Sequence, residues 1–236
     1  KILLKLALNN LKRNRTQTFI TFVGITLSVM LITSIFTLFF SFYSTMRNNL
    51  IESEGEWHYR YMDIEVSQKS VLDAKPNIKA TYPMIYFSEG KASEDPNGKY
   101  QLQLFETDQN GFKYAPIQLV EGKFPSNPDE LLINDILIKL YPEVFQIGKV
   151  FNIDLGIVDG STFEITRNDT KRFTITGSYR GEPSGVPSYF VYTYSDIASM
   201  NPTEKITLFV IEKQISSSMV TKAKDYTYSF TESPIV

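Results

Sequence analysis

Residues Phe19 to Tyr43 read FITFVGITLSVMLITSIFTLFFSFY and contain no Asp, Glu, Lys, Arg or His. A helix of that length rises about 37 Å, enough to cross a hydrocarbon core of ~30 Å with some tilt. The stretch therefore predicts a membrane span instead of the core helix of a soluble protein. A cleavable export signal needs a shorter apolar region and a small-x-small cleavage site. This run ends in SFYSTMRNN, which has no such site.

Charge sets the expected orientation. Lys1, Lys5, Lys12, Arg13 and Arg15 precede the run without one acidic residue, which predicts a cytoplasmic N-terminus and an extracytoplasmic main domain in the cell membrane. Lys12, Arg13 and Arg15 are the expected membrane-interface residues. Of 24 basic residues, six lie at or before Arg47, leaving 18 against 26 acidic residues beyond it, a formal charge of −8. That balance argues against a nucleic-acid partner. The absence of cysteine removes disulfides and thiolate metal ligands, and an exported part of roughly 190 residues can hold together by its own core.

Two further patterns surround the span. At 100° per residue KILLKLALNNLKR places Lys1, Lys5, Asn9, Lys12 and Arg13 on one side, with Leu3, Leu4, Ala7, Leu8 and Leu11 on the other. Residues 1–15 are thus expected to form a cytoplasmic amphipathic helix along the inner leaflet, with an elbow near Asn14. Inside the span, Thr21, Gly24 and Ser28 form one small-residue stripe, and Thr26, Thr33, Thr37, Ser41 and Ser44 form another. Such stripes suit close helix neighbours, and hydroxyls bonding their own helix backbone are the alternative.

Beyond Tyr43 helix-forming residues continue, so residues 16–55 are expected to form a transmembrane helix and stalk ending near Gly55. The remainder predicts an α+β protein whose extracytoplasmic domain is mixed α/β. YRYMDIEVS alternates with Met62, Ile64 and Val66 on one face, QKSVLDAKP is a short helix or turn, and IKATYPMIYFSEG and KYQLQLFET are strands joined by EDPNGK. KITLFVIEK, SSSMVTKAKD and YTYSF read as strand, helix and strand at the far end. Residues 56–110 and 201–236 are expected to form a β-α-β-type porter-like lobe. Residues 111–200 are expected to be an inserted, mostly-β lobe with strands ELLIN, KVFNIDLG, TFEITRN, RFTITGSYRG and YFVYTYS and one clear helix, NDILIKLYPEVF.

Chemical motifs are weak. Ser88-Glu89-Gly90-Lys91 fits S-x-x-K but sits in a strand-to-turn setting without the partner motifs of that chemistry. The single histidine, His58, has no second His or Cys with which to share a metal. DLGIVDGSTFE fails as a calcium loop because its Gly160 puts Leu155 at the first ligand position. The chain has no phosphate-binding G-x-x-x-x-G-K-[ST], so it is not expected to bind ATP itself. No catalytic, cofactor-binding or metal residue is expected, and the ligand-binding residues are left open. Tyr189, Tyr192 and Tyr194 suit a ligand surface or ordinary strand packing.

The opening LALNNLKRNRTQTFITFVGITLSV resembles the first-helix signature of FtsX/MacB-type ABC transporter permeases through Ala7, Asn10, Leu11, Arg13, Asn14, Thr16, Gly24 and Ile25. VEGKFPSNPDELLINDILIKLYPEVFQIGKVFNIDLG is similar to the MacB-type extracytoplasmic core, with Gly122, Pro125, Glu130, Ile133, Gly148 and Phe151 in corresponding places. Lys123 stands where that family has Arg, and Lys149 where it has Asp. FTITGSYRG and YFVYTYSDIASM extend the likeness in the right order. The resemblance implies a permease subunit that is not itself an enzyme, with ATP and Mg bound by a partner ABC ATPase. It further implies contact with membrane lipid, with further permease helices or a second permease copy, and with a peptide or lipid-like substrate, or else regulation of a cell-wall hydrolase. Three more membrane helices are expected after Val236, which makes the chain the N-terminal part of a longer permease. The rival expectation is a single-span sensor or anchor with a ligand-binding α/β ectodomain.

Overall fold

The computed structural model describes residues 13–181, 187–213 and 229–232. The chain divides into two compact units, Lys1–Asn49 and Leu50–Val236. The first is occupied by helix α1 (Arg15–Glu54), whose last turn belongs to the second. No residue of α1 is buried, and large apolar side chains such as Phe22 (66 % exposed) and Leu38 (71 %) stand out all round it. Only lipid or other helices can cover such a surface, and α1 is long and apolar enough to cross a membrane.

The helix ends for a local reason. Gly55 adopts φ +84°, and its N–H closes the last turn on Ile51 O at 2.9 Å. A Cβ there would press on Tyr114 O and the Pro116 ring at 2.9 and 2.8 Å. Only glycine accepts both the left-handed turn and that approach.

The second unit is built on strand β1 (Tyr59–Glu65), helix α2 (Val66–Asp73), β2 (Ile78–Ala92), β3 (Gln101–Thr107), helix α3 (Gln109–Tyr114), β4 (Gln118–Gly122) and β5 (Glu130–Asn134). Helix α4 (Asp135–Leu140), β6 (Val150–Val158), β7 (Ile165–Arg180), β8 (Ser188–Tyr194), a 3-10 turn at Ile197–Ser199, β9 (Lys205–Glu212) and β10 (Ser229–Glu232) complete it. The described strands make one ten-stranded sheet in the order β10-β1-β9-β2-β3-β8-β5-β7-β4, with β6 against β2 and β7. The long β2 joins its two parts. Ile78 to Met84 pair with β9, and from Ile85 onward the strand turns to β3 and then β6, with a bulge between Tyr86 and Ser88.

Several local readings change. The expected alternation of Met62, Ile64 and Val66 is broken at Asp63, which takes φ +60° where the β1–β9 register slips. That bulge swings Tyr61 and Ile64 into one core, with Val66 packed against it, and leaves Met62 half-buried outside that cluster. TFEITRN and RFTITGSYRG are not two strands; they merge in β7, which pairs with β6 from Thr174 back to Ile165 and continues along β5 and β4. The helix expected over NDILIKLYPEVF stops at Leu140, because Tyr141 leaves the helical region ahead of Pro142. Helix α3 and strand β4 went unforeseen; the six residues of α3 are too few for a periodic signal. β3, assigned by sequence to the flanking lobe, runs parallel to β8 of the inserted segment. SSSMVTKAKD lies outside the described residues.

The sheet separates two kinds of interior. On one face Tyr59, Tyr61, Leu208 and Val210 pack under α2, and Leu102, Leu104, Phe145 and Phe151 pack under α4. The intervening positions of the same strands, including Phe105, Tyr192 and Phe209, turn to the opposite face and gather an aromatic cluster. This is the period-two alternation of a sheet covered on both sides.

Candidate functional site

On that aromatic face the side chains form an open groove of about 220 Å³. Trp57, Tyr82, Met84, Phe105, Phe190 and Phe209 supply its walls. They come from the segment after α1 and from four strands adjacent in the sheet, β9, β2, β3 and β8. Trp57 meets Phe209 edge-on at 5.4 Å, and Phe209 stacks on Tyr82 at 5.0 Å. Phe105 meets Phe190 edge-on at 5.3 Å, and both rings stay half-buried. Such pairs contribute about 0.5 to 1.5 kcal/mol each beyond area burial, so the walls are ordered before any ligand arrives. Trp57 Nε1 donates to Glu54 O at 3.0 Å, and Tyr179 Oη donates to Phe190 O at 2.9 Å. Burial pushes the Tyr192 phenol up to about 12.

A larger cavity of about 410 Å³ lies among α2, the β3–α3 junction and the 3-10 turn. Its charged groups already hold the fold together. Lys69 Nζ pairs with Asp73 at 2.8 Å and reaches Asp108 at 3.8 Å, Thr81 donates to Asp73, and Asp108 caps α3 through Gly111 N at 3.0 Å. Burial raises the Asp108 pKa. These bonds make the groove the better candidate.

The weak motifs fall apart in space. Ser88 Oγ donates to Glu89 O, whereas Lys91 is buried and donates to Pro96 O at 2.8 Å and Phe163 O at 2.9 Å, pinning two turns together. Asp159 accepts from Ser161 N and Thr162 N at 2.8 Å each, so its carboxylate shapes its own turn. His58 Nδ1 accepts from Glu212 N at 3.0 Å. Among the described residues no three His, Asp or Glu side chains converge as metal ligands. Of the tyrosines, Tyr189 joins the α4-side core and Tyr192 and Tyr194 face the other way, so the three do not share a surface.

In α1, Thr21 Oγ1 donates to Gln17 O and Ser28 Oγ to Gly24 O, each at 2.9 Å, and nothing lies within 4 Å of a Cβ built on Gly24. Thr26, Thr33 and Thr37 bond their own helix in the same way. Arg13 and Arg15 are exposed, and Lys12 lies outside the described residues.

The two lysines that depart from the resembling pattern both have carboxylate partners. Gly122 (φ +81°) turns the chain so that Lys123 N donates to Thr176 O at 2.9 Å, and Lys123 Nζ lies 3.3 Å from Glu130. Glu130 also accepts from Ser126 N at 2.7 Å and Ser126 Oγ at 2.9 Å. Lys149 pairs with Glu94 at 2.9 Å beside Gly148 (φ +86°). The bond from Ser126 N, helped by its hydroxyl and by Lys123, holds the Glu130 carboxyl below the usual range. A carboxyl depressed in the folded state contributes stability above its ordinary pKa of about 4.3 and loses it as pH falls through the folded value. Glu130→Gln is therefore expected to flatten the fall of the thermal midpoint on acidification from about pH 5 downward. Identical acid slopes in both proteins would contradict the assignment.

The sequence profile of the MacB-like periplasmic core domain matches residues 18–227, and the chain belongs to that family. Among solved structures, the periplasmic region of MacB from Actinobacillus actinomycetemcomitans is similar at a TM-score of 0.50 and 10 % identity, over 78 % of this chain and 92 % of that one. The extracellular domain of the ABC-type transporter YknZ from Gram-positive bacteria is similar at 0.49 and 10 %, over 75 % and 98 %. Curated proteins give no match. A periplasmic-domain family and an apolar α1 together define a membrane-anchored protein with an extracytoplasmic domain.

The aromatic groove was missed by sequence reading. Its trace is the shared parity of Tyr82 with Met84, Phe190 with Tyr192, and single rings at Phe105 and Phe209, but which strands lie side by side is invisible before folding.

Proposed function

We propose that the chain is the first membrane span and extracytoplasmic domain of an ABC transporter permease, in which a partner ATPase binds ATP and Mg and its closure moves the outer domain. The observation that carries this reading is the family match over residues 18–227, which runs from inside the apolar helix through the α/β domain. In this reading Thr21, Gly24 and Ser28 pack against further permease helices or a second copy. Lys12, Arg13 and Arg15 hold the cytoplasmic end at anionic lipid, and the cargo is a peptide or lipid-like amphiphile. Residues 56–110 with 201–236, and residues 111–200, are the two proposed lobes, joined through the β3–β8 pairing, and shift with the helices.

The test has two parts. Full-length protein expressed with an ABC ATPase should co-purify with it and change its ATP hydrolysis rate; an ATPase indifferent to the chain would favour the sensor or anchor. Orientation is checked separately. A cysteine at Asn97, in the turn between β2 and β3, should react with an impermeant thiol reagent in intact cells, or once any outer membrane is removed. Labelling of a cysteine at Asn14 instead would reverse the topology.

A further inference from the structure

We propose that Asn97 is a site of spontaneous conversion to isoaspartate and aspartate, whereas Asn110, which is followed by the same residue, is protected by the fold. This chemistry needs neither an ATPase nor a cargo.

The residue after an asparagine sets how readily it reacts. The main-chain nitrogen of that residue attacks the asparagine Cγ, a C–N bond forms to close a succinimide ring, and the Cγ–Nδ2 bond breaks with release of ammonia. Water then opens the ring. Breaking the bond from the nitrogen to the main-chain carbonyl leaves isoaspartate, and breaking the bond to Cγ leaves aspartate, so one water is consumed for each ammonia lost. Glycine, with no side chain, supplies the least hindered nitrogen. The chain has two such pairs, Asn97-Gly98 and Asn110-Gly111.

Packing requires both glycines. A Cβ at Gly98 would run into the Tyr100 ring and the Asp95 carboxylate, and one at Gly111 would run into Thr107. Neither asparagine can therefore be shielded by a bulkier neighbour, and conformation decides between them.

Asn97 is exposed in the turn between β2 and β3, and its side chain makes no hydrogen bond with a described residue. The Gly98 N–H donates to Asp95 O at 3.2 Å, the long end of the ordinary range. Opening that one bond frees the attacking nitrogen. Asn110 is half-buried in α3, and its Nδ2 donates to Thr81 O at 3.0 Å, which ties the amide to β2. Gly111 N donates to the Asp108 carboxylate at 3.0 Å, and Ala115 N closes on Gly111 O at 2.9 Å. Attack there requires α3 to unwind and its cap to be lost.

The product at Asn97 reaches the core. Isoaspartate lengthens the main chain of the turn by one carbon, where buried Lys91 donates to Pro96 O at 2.8 Å and to Phe163 O at 2.9 Å. Gly98 lies against Tyr100, which meets Phe145 edge-on at 5.5 Å in the α4-side core. Conversion therefore loosens this turn and lowers the thermal midpoint.

Trypsin separates the two sites, because ASEDPNGK (residues 92–99) carries only Asn97 and YQLQLFETDQNGFK (residues 100–113) only Asn110. The folded full chain is aged in detergent at mildly alkaline pH and digested, with a zero-time digest as background. Mass spectrometry reads the gain of about 1 Da in each peptide, and an isoaspartyl methyltransferase reads the isoaspartate. Asn97 should convert about tenfold or more faster than Asn110, and the two rates should converge in urea that unfolds the chain. Equal rates in the folded protein, or no conversion of Asn97 above background, would overturn the proposal. So would a difference that persists in urea, which would assign it to local sequence and not to the fold. Aged wild type should also melt below fresh protein, with no such fall in Asn97→Gln. An unchanged midpoint after full conversion of Asn97 would overturn the loosening of the turn.

Discussion

The double variant Gly24→Leu with Ser28→Leu is expected to lose ATPase-coupled output by about tenfold or more while its extracytoplasmic domain keeps the wild-type thermal midpoint. Both positions are exposed on α1, and among the described residues nothing lies within 4 Å of a Cβ at Gly24. The Ser28 hydroxyl bonds its own helix through Gly24 O, so the stripe offers a partner helix its shape and not hydrogen bonds. Without a hydrophobic drive between helices in lipid, close approach depends on small side chains at the contact, and overpacking such a contact costs about 1 to 3 kcal/mol. Loss of about 1.4 kcal/mol is a factor of ten in the coupled equilibrium. Leucine keeps the segment apolar and long enough to span, so insertion should persist. The measurements are ATP hydrolysis by the complete transporter and thermal unfolding of the same preparation. Wild-type coupling in the double variant would reduce α1 to an anchor and favour the sensor.

Gly122→Val should strongly destabilise the extracytoplasmic domain. Gly122 holds φ +81°, which a β-branched residue adopts only at a cost of about 1 to 3 kcal/mol, and its Cβ would run into the Thr176 carbonyl and approach Gly177 Cα at 2.7 Å. Those atoms belong to β7, paired here with β4, so the clash cannot be relieved by a side-chain rotation. Overpacking adds roughly another 1 to 3 kcal/mol. A combined loss of about 4 kcal/mol predicts a fall in the thermal midpoint of roughly 10 °C for a domain of this size. Gly148→Ala is the control. Its φ of +86° is similarly left-handed, but nothing lies within 4 Å of the added Cβ, so only the backbone term should appear. Equal destabilisation at both sites would show that the β4–β7 contact adds nothing.

The two variants probe different levels of information. That Phe19 to Tyr43 forms an apolar helix follows from composition alone, because one long uncharged stretch can bury itself only in lipid or among other helices. The end of α1 at Gly55 and the turn at Gly122 were likewise within reach of the sequence, since glycine is the residue that takes a positive φ at little cost. Strand positions such as ELLIN and YFVYTYS were legible for the same kind of reason, an apolar or aromatic run of strand length between turn residues. Tertiary structure decided the rest. The bulge at Asp63 inverted the alternation read along β1, because one left-handed residue shifts every later side chain to the other face. Only pairing joined two apparent strands into β7, and only the parallel contact of β3 with β8 brought Phe105 to Phe190. The groove exists because rings far apart in the chain, from Trp57 to Phe209, project from neighbouring strands on one face. Strand order is set by the summed burial of both faces of the sheet, a quantity that no local pattern contains.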